Sequence, residues 1–133
     1  MNLHKATMDD AEFLFRLAND PETLRFSRSQ QTFIPWEKHL LWMEQSLAQR
    51  EVWLVGVAGT VSINRGEMAV TVAPEYRGLG LATPLITSAI PEWSGPLRAV
   101  IHRDNLRSLR AFHRAGFYKP LKFEDPWHWF IRP

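Results

Sequence analysis

The run Val70-Thr71-Val72-Ala73-Pro74-Glu75-Tyr76-Arg77-Gly78-Leu79-Gly80-Leu81-Ala82 most constrains what this chain can become. Its β-branched start reads as a strand, and Pro74 closes it. Two glycines follow, then an apolar run that reads as a helix from about Leu81. A strand, a glycine turn and a helix start, in that order, make a seat for phosphate. The first N–H groups of a helix have no intrahelical acceptor. The helix dipole makes that end positive. Glycines let an anion approach the backbone with no Cβ in the way. Arg77 is expected to add a formal positive charge at the lip. The same residues also suit a plain connector between strand and helix.

The run is not a P-loop, because no Gly-Lys-Ser/Thr follows the glycines. Nor is it a dinucleotide fingerprint, since only Gly78, Gly80 and Ala82 are present and 133 residues leave no room for a full doubly wound sheet. A second segment, from Val100 to Phe117, begins as a strand and turns at Arg103-Asp104. Asp104 is the N-cap candidate for the short helix that follows. Gly116 stops that helix, a residue suited to a left-handed C-terminal position. Asn105, Ser108 and Phe112 fall at i, i+3 and i+7 and share one face. Arg103, Arg107, Arg110 and Arg114 cluster there too, either as a solvated face or as a basic rim for phosphates.

The length suits one domain over residues 1–133 with a single core. A hydrophobic content of 45% argues against disorder. No apolar run nears the ~20 residues of a membrane span, and Met1–Lys5 lacks the apolar stretch of a signal peptide. The absence of cysteine excludes disulfides and thiolate metal sites. No metal is expected, and the composition fits a reducing cytoplasm. A net charge of +2 is too mild for a nucleic-acid binder, so neither nucleic acid nor membrane is an expected partner.

Along the chain, Asn2–Ala6 reads as a short strand, and Thr7 or Asp9 as the cap of a helix carrying Phe13, Leu14 and Leu17. Asn19-Asp20-Pro21 is expected to end it, with an irregular stretch from Leu24 to Phe33. Pro35 suits the first turn of a second helix reaching about Gln49, buried through Leu40, Leu41, Met43 and Leu47. Strands are expected over Glu51–Ala58 and Val61–Asn64 around a Gly59-Thr60 turn, then over Glu67–Ala73, Leu97–Ile101, Phe117–Phe123 and Trp127–Ile131.

The two glycine-containing segments together resemble the motifs of the GNAT superfamily of N-acetyltransferases. The pattern Arg/Gln-x-x-Gly-x-Gly/Ala is similar to Arg77, Gly80 and Ala82. The pattern Asn-x-x-Ala/Ser, a Tyr four residues on, then Gly-Phe is similar to Asn105, Ser108, Phe112 in the Tyr place, and Gly116-Phe117. The resemblance covers roughly the C-terminal half. It implies an α+β fold layered α/β/α, with a mixed, mostly antiparallel sheet of six to seven strands flanked by about four helices. It implies acetyl-CoA as cosubstrate. The backbones of Val70, Thr71 and Val72 would hold the pantetheine arm. Those of Arg77, Gly78, Leu79, Gly80, Leu81 and Ala82, with the Thr83 side chain, would take the pyrophosphate. Asn105 and Ser108 would meet the far side, and Phe112 would point at the sulfur.

Acetyl transfer needs a neutral amine, because a protonated one has no lone pair, so a base is required. Glu67 opens the central strand, where related enzymes often carry a carboxylate, and is the expected base. The alternative is an exposed strand-end glutamate, with His102 and His39 in reserve. Phe112 cannot donate a proton. Either water or another group protonates the leaving thiolate, or the protein binds CoA without turnover.

The acceptor is read from the N-terminal half. Asn19-Asp20-Pro21 followed by His39-x-x-Trp42 resembles the branch that includes amino-sugar-nucleotide N-acetyltransferases of the pseudaminic-acid type. The same turn occurs in N-terminal-amine acetyltransferases of ribosomal proteins. Trp36, His39 and Trp42 are the expected acceptor-binding residues, and Trp127 and Trp129 are further rings on which a sugar can stack. The plain alternative is that the turn only ends a helix and His39 only packs. The expected partner is a small-molecule amine, and a homodimer is compatible with the sequence.

Overall fold

The computed structural model describes residues 1–29, 31–49 and 51–133. Among them the elements run β1 (His4–Lys5), α1 (Ala11–Ala18), α2 (Pro21–Arg25), α3 (Trp36–Gln49), β2 (Glu51–Val55), β3 (Gly59–Asn64), β4 (Glu67–Val72), α4 (Ala82–Ala89), β5 (Leu97–His102), α5 (Leu106–Arg114), β6 (Lys119–Glu124) and β7 (Trp127–Arg132). The seven strands form one sheet in the order β1-β2-β3-β4-β5-β7-β6. Only the β4–β5 pair is parallel. This is the expected α+β, mixed and mostly antiparallel sheet. No helix among the described residues is long and apolar enough to cross a membrane.

Alternation along the strands places the main core. Val61 and Ile63 of β3, and Leu97, Ala99 and Ile101 of β5, point to one face, where α4 and α5 cover them with Leu85, Ile86, Ala89 and Phe112, joined by Phe117 just after α5. Phe117 is fully buried, and its truncation to Ala would cost ~3–5 kcal/mol. Val52 and Trp53 are neighbours on β2, so they point to opposite faces, and both are buried. The sheet is therefore covered on its second face as well. Ala11 and Leu14 of α1 meet Met43 of α3 in a smaller cluster.

Local chemistry explains where the elements depart from expectation. Asn19-Asp20-Pro21 ends α1 but also starts α2. Pro21 occupies the first helical turn and the Asp20 carboxylate accepts from the Thr23 N–H at 3.1 Å. The first hairpin turns at residues 56–58, not at Gly59-Thr60, because Val55 already pairs with Gly59. Gly56 supplies the positive φ of +48°. Gly59 is needed for space instead, since a Cβ there would lie 2.6 Å from the Thr71 carbonyl oxygen and 3.1 Å from Leu85. Asn105, not Asp104, caps α5, its side chain accepting from the Ser108 N–H at 3.4 Å. On α3 the buried stripe is His39, Met43 and Ser46, at i, i+4 and i+7, which turns Leu41 outward to 55% exposure.

Candidate active site

β4 and β5 run parallel but pair at one position alone, Glu67 opposite Arg98. The Arg98 N–H donates to the Gly66 carbonyl at 2.8 Å, and past that point the strands part. A gap therefore opens between Val70–Val72 and the end of β5. Residues 78–83 lie at its wide end. Gly78 and Gly80 have φ of +79° and +74°, the left-handed region where glycine carries no Cβ penalty. A Cβ on either would meet nothing within 4 Å. The space beside them is thus open, and the backbone angle is what demands glycine. No side chain caps α4 at Leu81, and the first bond into the helix runs from the Leu85 N–H to the Leu81 carbonyl. Among the described residues the N–H groups from Gly78 to Thr83 have no acceptor. A row of free backbone donors at a helix start, facing open space, fits a pyrophosphate.

Arg77 does not stand free at this lip, as its charge had suggested. Its guanidinium folds back, donating to the Val72 carbonyl at 3.0 Å and to Asp20 at 2.7 Å, with Glu22 at 3.1 Å. The Arg77 and Asp20 side chains are 16% and 12% exposed. Burial pushes the Asp20 carboxyl up, but hydrogen bonds from Arg77 and the Thr23 N–H, and the charge of Arg77, outweigh it and hold the group below the ordinary carboxylate range. Arg77 thus locks the glycine turn to the start of α2.

At the narrow end Glu67 accepts two hydrogen bonds from Arg28, at 3.2 and 3.0 Å, and has Arg98 at 3.9 Å. The expected base is therefore an occupied carboxylate. Arg98, Val100 and His102 stand on the sheet face opposite the main core, and register sets Trp129 beside Val100 and Trp127 beside His102. Trp129 lies between two cations, Lys122 at 4.4 Å and Arg28 at 5.8 Å from its ring centroid. His102 packs between Phe26 and Trp127, at 5.3 and 5.1 Å. Its Nδ1 accepts from the Asp104 N–H at 3.0 Å, so the neutral ring carries its proton on Nε2 and offers a donor there, not a base.

Four expected site residues, His39, Trp36, Trp42 and Phe112, sit elsewhere. His39 is 1% exposed and hydrogen-bonded through Nε2 to the Ala11 carbonyl at 2.9 Å. Burial pushes its imidazole below the ordinary value, partly offset by that bond. It packs α3 against α1, and no acceptor can reach it. Trp36 and Trp42 flank it at ring distances of 5.8 Å, with Trp36 also edge-on to Phe15 of α1. They belong to the α1–α3 side of the molecule. Phe112 is 2% exposed and edge-to-face with Phe117, because α5 lays its most apolar face on the sheet. It is a core ring and does not line the gap. Asn105 and Ser108 remain half-buried at the start of α5. An open cleft of about 670 Å³ lies between α1 and residues 73–76, with Asp20 on its wall. Arg28, Arg98 and Glu22 were not among the expected site residues, and Asp20 was expected only as part of the turn that ends α1 and marks the branch. An acid two residues after a capping Asp, with Pro between them, was the one local signal for α2.

The sequence matches the family model described as Acetyltransferase (GNAT) domain over residues 1–118. The chain belongs to that family, and it is an acetyltransferase whose cosubstrate is acetyl-CoA. No curated protein matches it. Its fold is similar to a phosphinothricin acetyltransferase from Sinorhizobium meliloti in complex with acetyl-CoA, with a TM-score of 0.81 and 15% identity over 99% of this chain and 87% of that one. It is also similar to a spermidine N-acetyltransferase from Vibrio cholerae in complex with CoA and spermine, with a TM-score of 0.76 and 15% identity over 98% and 92%. A ribosomal alpha-N-protein acetyltransferase in complex with coenzyme A has a TM-score of 0.80 and 12% identity over 98% and 92%.

Proposed function

We propose that this protein transfers the acetyl group of acetyl-CoA to a primary amine of a small molecule, and that the acceptor is an amino-sugar nucleotide. The row of acceptor-free N–H groups from Gly78 to Thr83, at the wide end of the β4–β5 gap, carries the cofactor half of this reading. The backbone of Val70 to Val72 would orient the arm along the gap, and Asn105 and Ser108 would close its α5 side. The acceptor half is supported by the second sheet face. Trp127 and Trp129 offer flat rings for a sugar, and Arg28, Arg98 and Lys122 offer cations for a nucleotide's phosphates.

Attack by the amine on the thioester carbonyl forms the amide and releases the thiolate. The amine gives up a proton, and the thiolate is a weak enough base to leave without a general acid and take a proton from solvent afterwards. Glu67 takes the amine's proton, directly or through water, once the acceptor displaces Arg28. No phenol on α5 is needed, consistent with Phe112 in the core. The test is CoA release measured over a panel: an amino-sugar nucleotide, a peptide with a free N-terminus, a polyamine and an amino acid. Turnover with the sugar nucleotide above all others is expected. Preference for the peptide would replace the acceptor with a protein N-terminus. CoA binding without turnover on any amine would make the protein a binding module.

A further inference from the structure

Helix α2 lies across the mouth of the gap, tied to both lips. On the β4 side it meets Arg77, and on the β5 side it meets Asp104 and Arg107. None of its residues is buried. One contact spans both lips through a single carboxylate oxygen: Glu22 Oε2 stands 3.1 Å from Arg77 Nε and 3.6 Å from Arg107 Nη1. Glu22 is thus an anion held between two guanidiniums, at the mouth of the gap.

We infer that Glu22 occupies the place of a cofactor phosphate, and that Arg107 is a phosphate-binding residue which Glu22 holds in reserve. The inference rests on the acetyl-CoA reading above. The two arginines differ in what they lose when Glu22 leaves. Arg77 keeps Asp20 at 2.7 Å and the Val72 carbonyl. Arg107 has Glu22 as its one ion-pair partner among the described residues, and its side chain is 62% exposed. A phosphate carries more charge than a carboxylate and presents the oxygen geometry a guanidinium matches best. It should therefore take Arg107 from Glu22 and loosen α5 from α2, leaving Arg25 and Asp104, 3.9 Å apart, as the remaining tie, while Asp20 still anchors α2. Cofactor affinity is then set against an internal competitor.

Calorimetric titration of the full chain with CoA and with dephospho-CoA tests this. Glu22→Gln should tighten CoA by ~2–5-fold, the scale of an exposed ion pair. Glu22→Asp, too short to reach both lips, should shift affinity the same way and guards against a folding defect in the first variant. Arg107→Gln should weaken CoA roughly tenfold, the scale of one charged hydrogen bond. Adding Glu22→Gln to Arg107→Gln should then change nothing further. If the Arg107→Gln loss persists with dephospho-CoA, the pyrophosphate is the partner. If it vanishes, the 3′-phosphate is. Either result supports the inference. Glu22 variants that bind CoA as the parent does, or more weakly, overturn it, as does an Arg107→Gln variant of unchanged affinity. A parent that binds no CoA at all overturns the acetyl-CoA reading itself.

Discussion

The two ends of the β4–β5 gap are made of different material. The wide end is backbone: N–H groups from Gly78 to Thr83, with two glycines holding the left-handed angles that expose them. The narrow end is side chain: Glu67, Arg28 and Arg98, drawn from three separate segments. A backbone site binds what every user of the cofactor shares. A side-chain site can change with each substitution, so it is where we propose that acceptor choice resides. If that division holds, a variant at the wide end should change cofactor affinity and one at the narrow end should change turnover.

The largest expected effect lies at the wide end. Gly80→Asp finds open space for its Cβ, and aspartate tolerates the left-handed region better than most residues, so the fold should survive. Its carboxylate would face the cofactor's phosphates. CoA affinity should fall ~10²-fold or more, because like charges brought together cost several kcal/mol. Unchanged affinity in a calorimetric titration would mean that the pyrophosphate does not sit there. Next comes Glu67→Gln, which keeps the shape and removes the basicity. The turnover number should drop ~10²-fold with CoA affinity little altered. A variant as fast as the parent from about pH 6 to pH 9 would leave Glu67 as a partner of Arg28 only.

A third variant probes whether Phe112 belongs to the gap at all. Phe112→Tyr adds a hydroxyl to a ring that is 2% exposed and packed on Phe117. The structure predicts a loss of stability of ~1–3 kcal/mol from a buried hydroxyl without a partner, and little change in rate. Denaturant unfolding beside steady-state kinetics reads both. A large gain in rate at unchanged stability would put that ring on the sulfur after all.

What was legible in the sequence follows the same division. The glycine turn, the helix ends and the strand order rest on local signals, and Gly116 at φ +99° ends α5 where its residue type suggested. The gap itself is a non-pairing between two parallel strands, which leaves no mark on composition. Arg28 reaches Glu67 across 39 positions, and Arg77 reaches Asp20 across 57, so neither tie has a local pattern. Trp36, His39 and Trp42 share a helix with the right chemistry for a sugar site, but His39 is buried, and Trp36 and His39 pack against one another and on Phe15 of α1. A motif shows which side chains are near one another on a helix, and tertiary packing decides what they face.

The smallest effect separates the buried histidine from the buried carboxylate by pH. His39 is neutral in the fold, with its pKa pushed below the ordinary value by burial. The unfolded chain titrates that ring near ~6.5. The unfolded state therefore binds the extra proton first as pH falls. Stability from this group is complete above about pH 6.5 and is lost progressively as the pH drops toward the folded value. Asp20 has the same sign in a lower window, since its carboxyl is also held below the ordinary value, near ~3.9. Its contribution is intact above about pH 4 and fades only in stronger acid. Melting temperatures measured from pH 7.5 down to about pH 5 thus leave Asp20 out of the window, and the difference between parent and a His39 variant isolates that ring. His39→Gln keeps a donor for the Ala11 carbonyl and removes the titration, so its curve should stay flatter than the parent's over that range. Parallel curves would mean that the imidazole is free to ionise in place, and that α1 and α3 part more easily than their packing indicates.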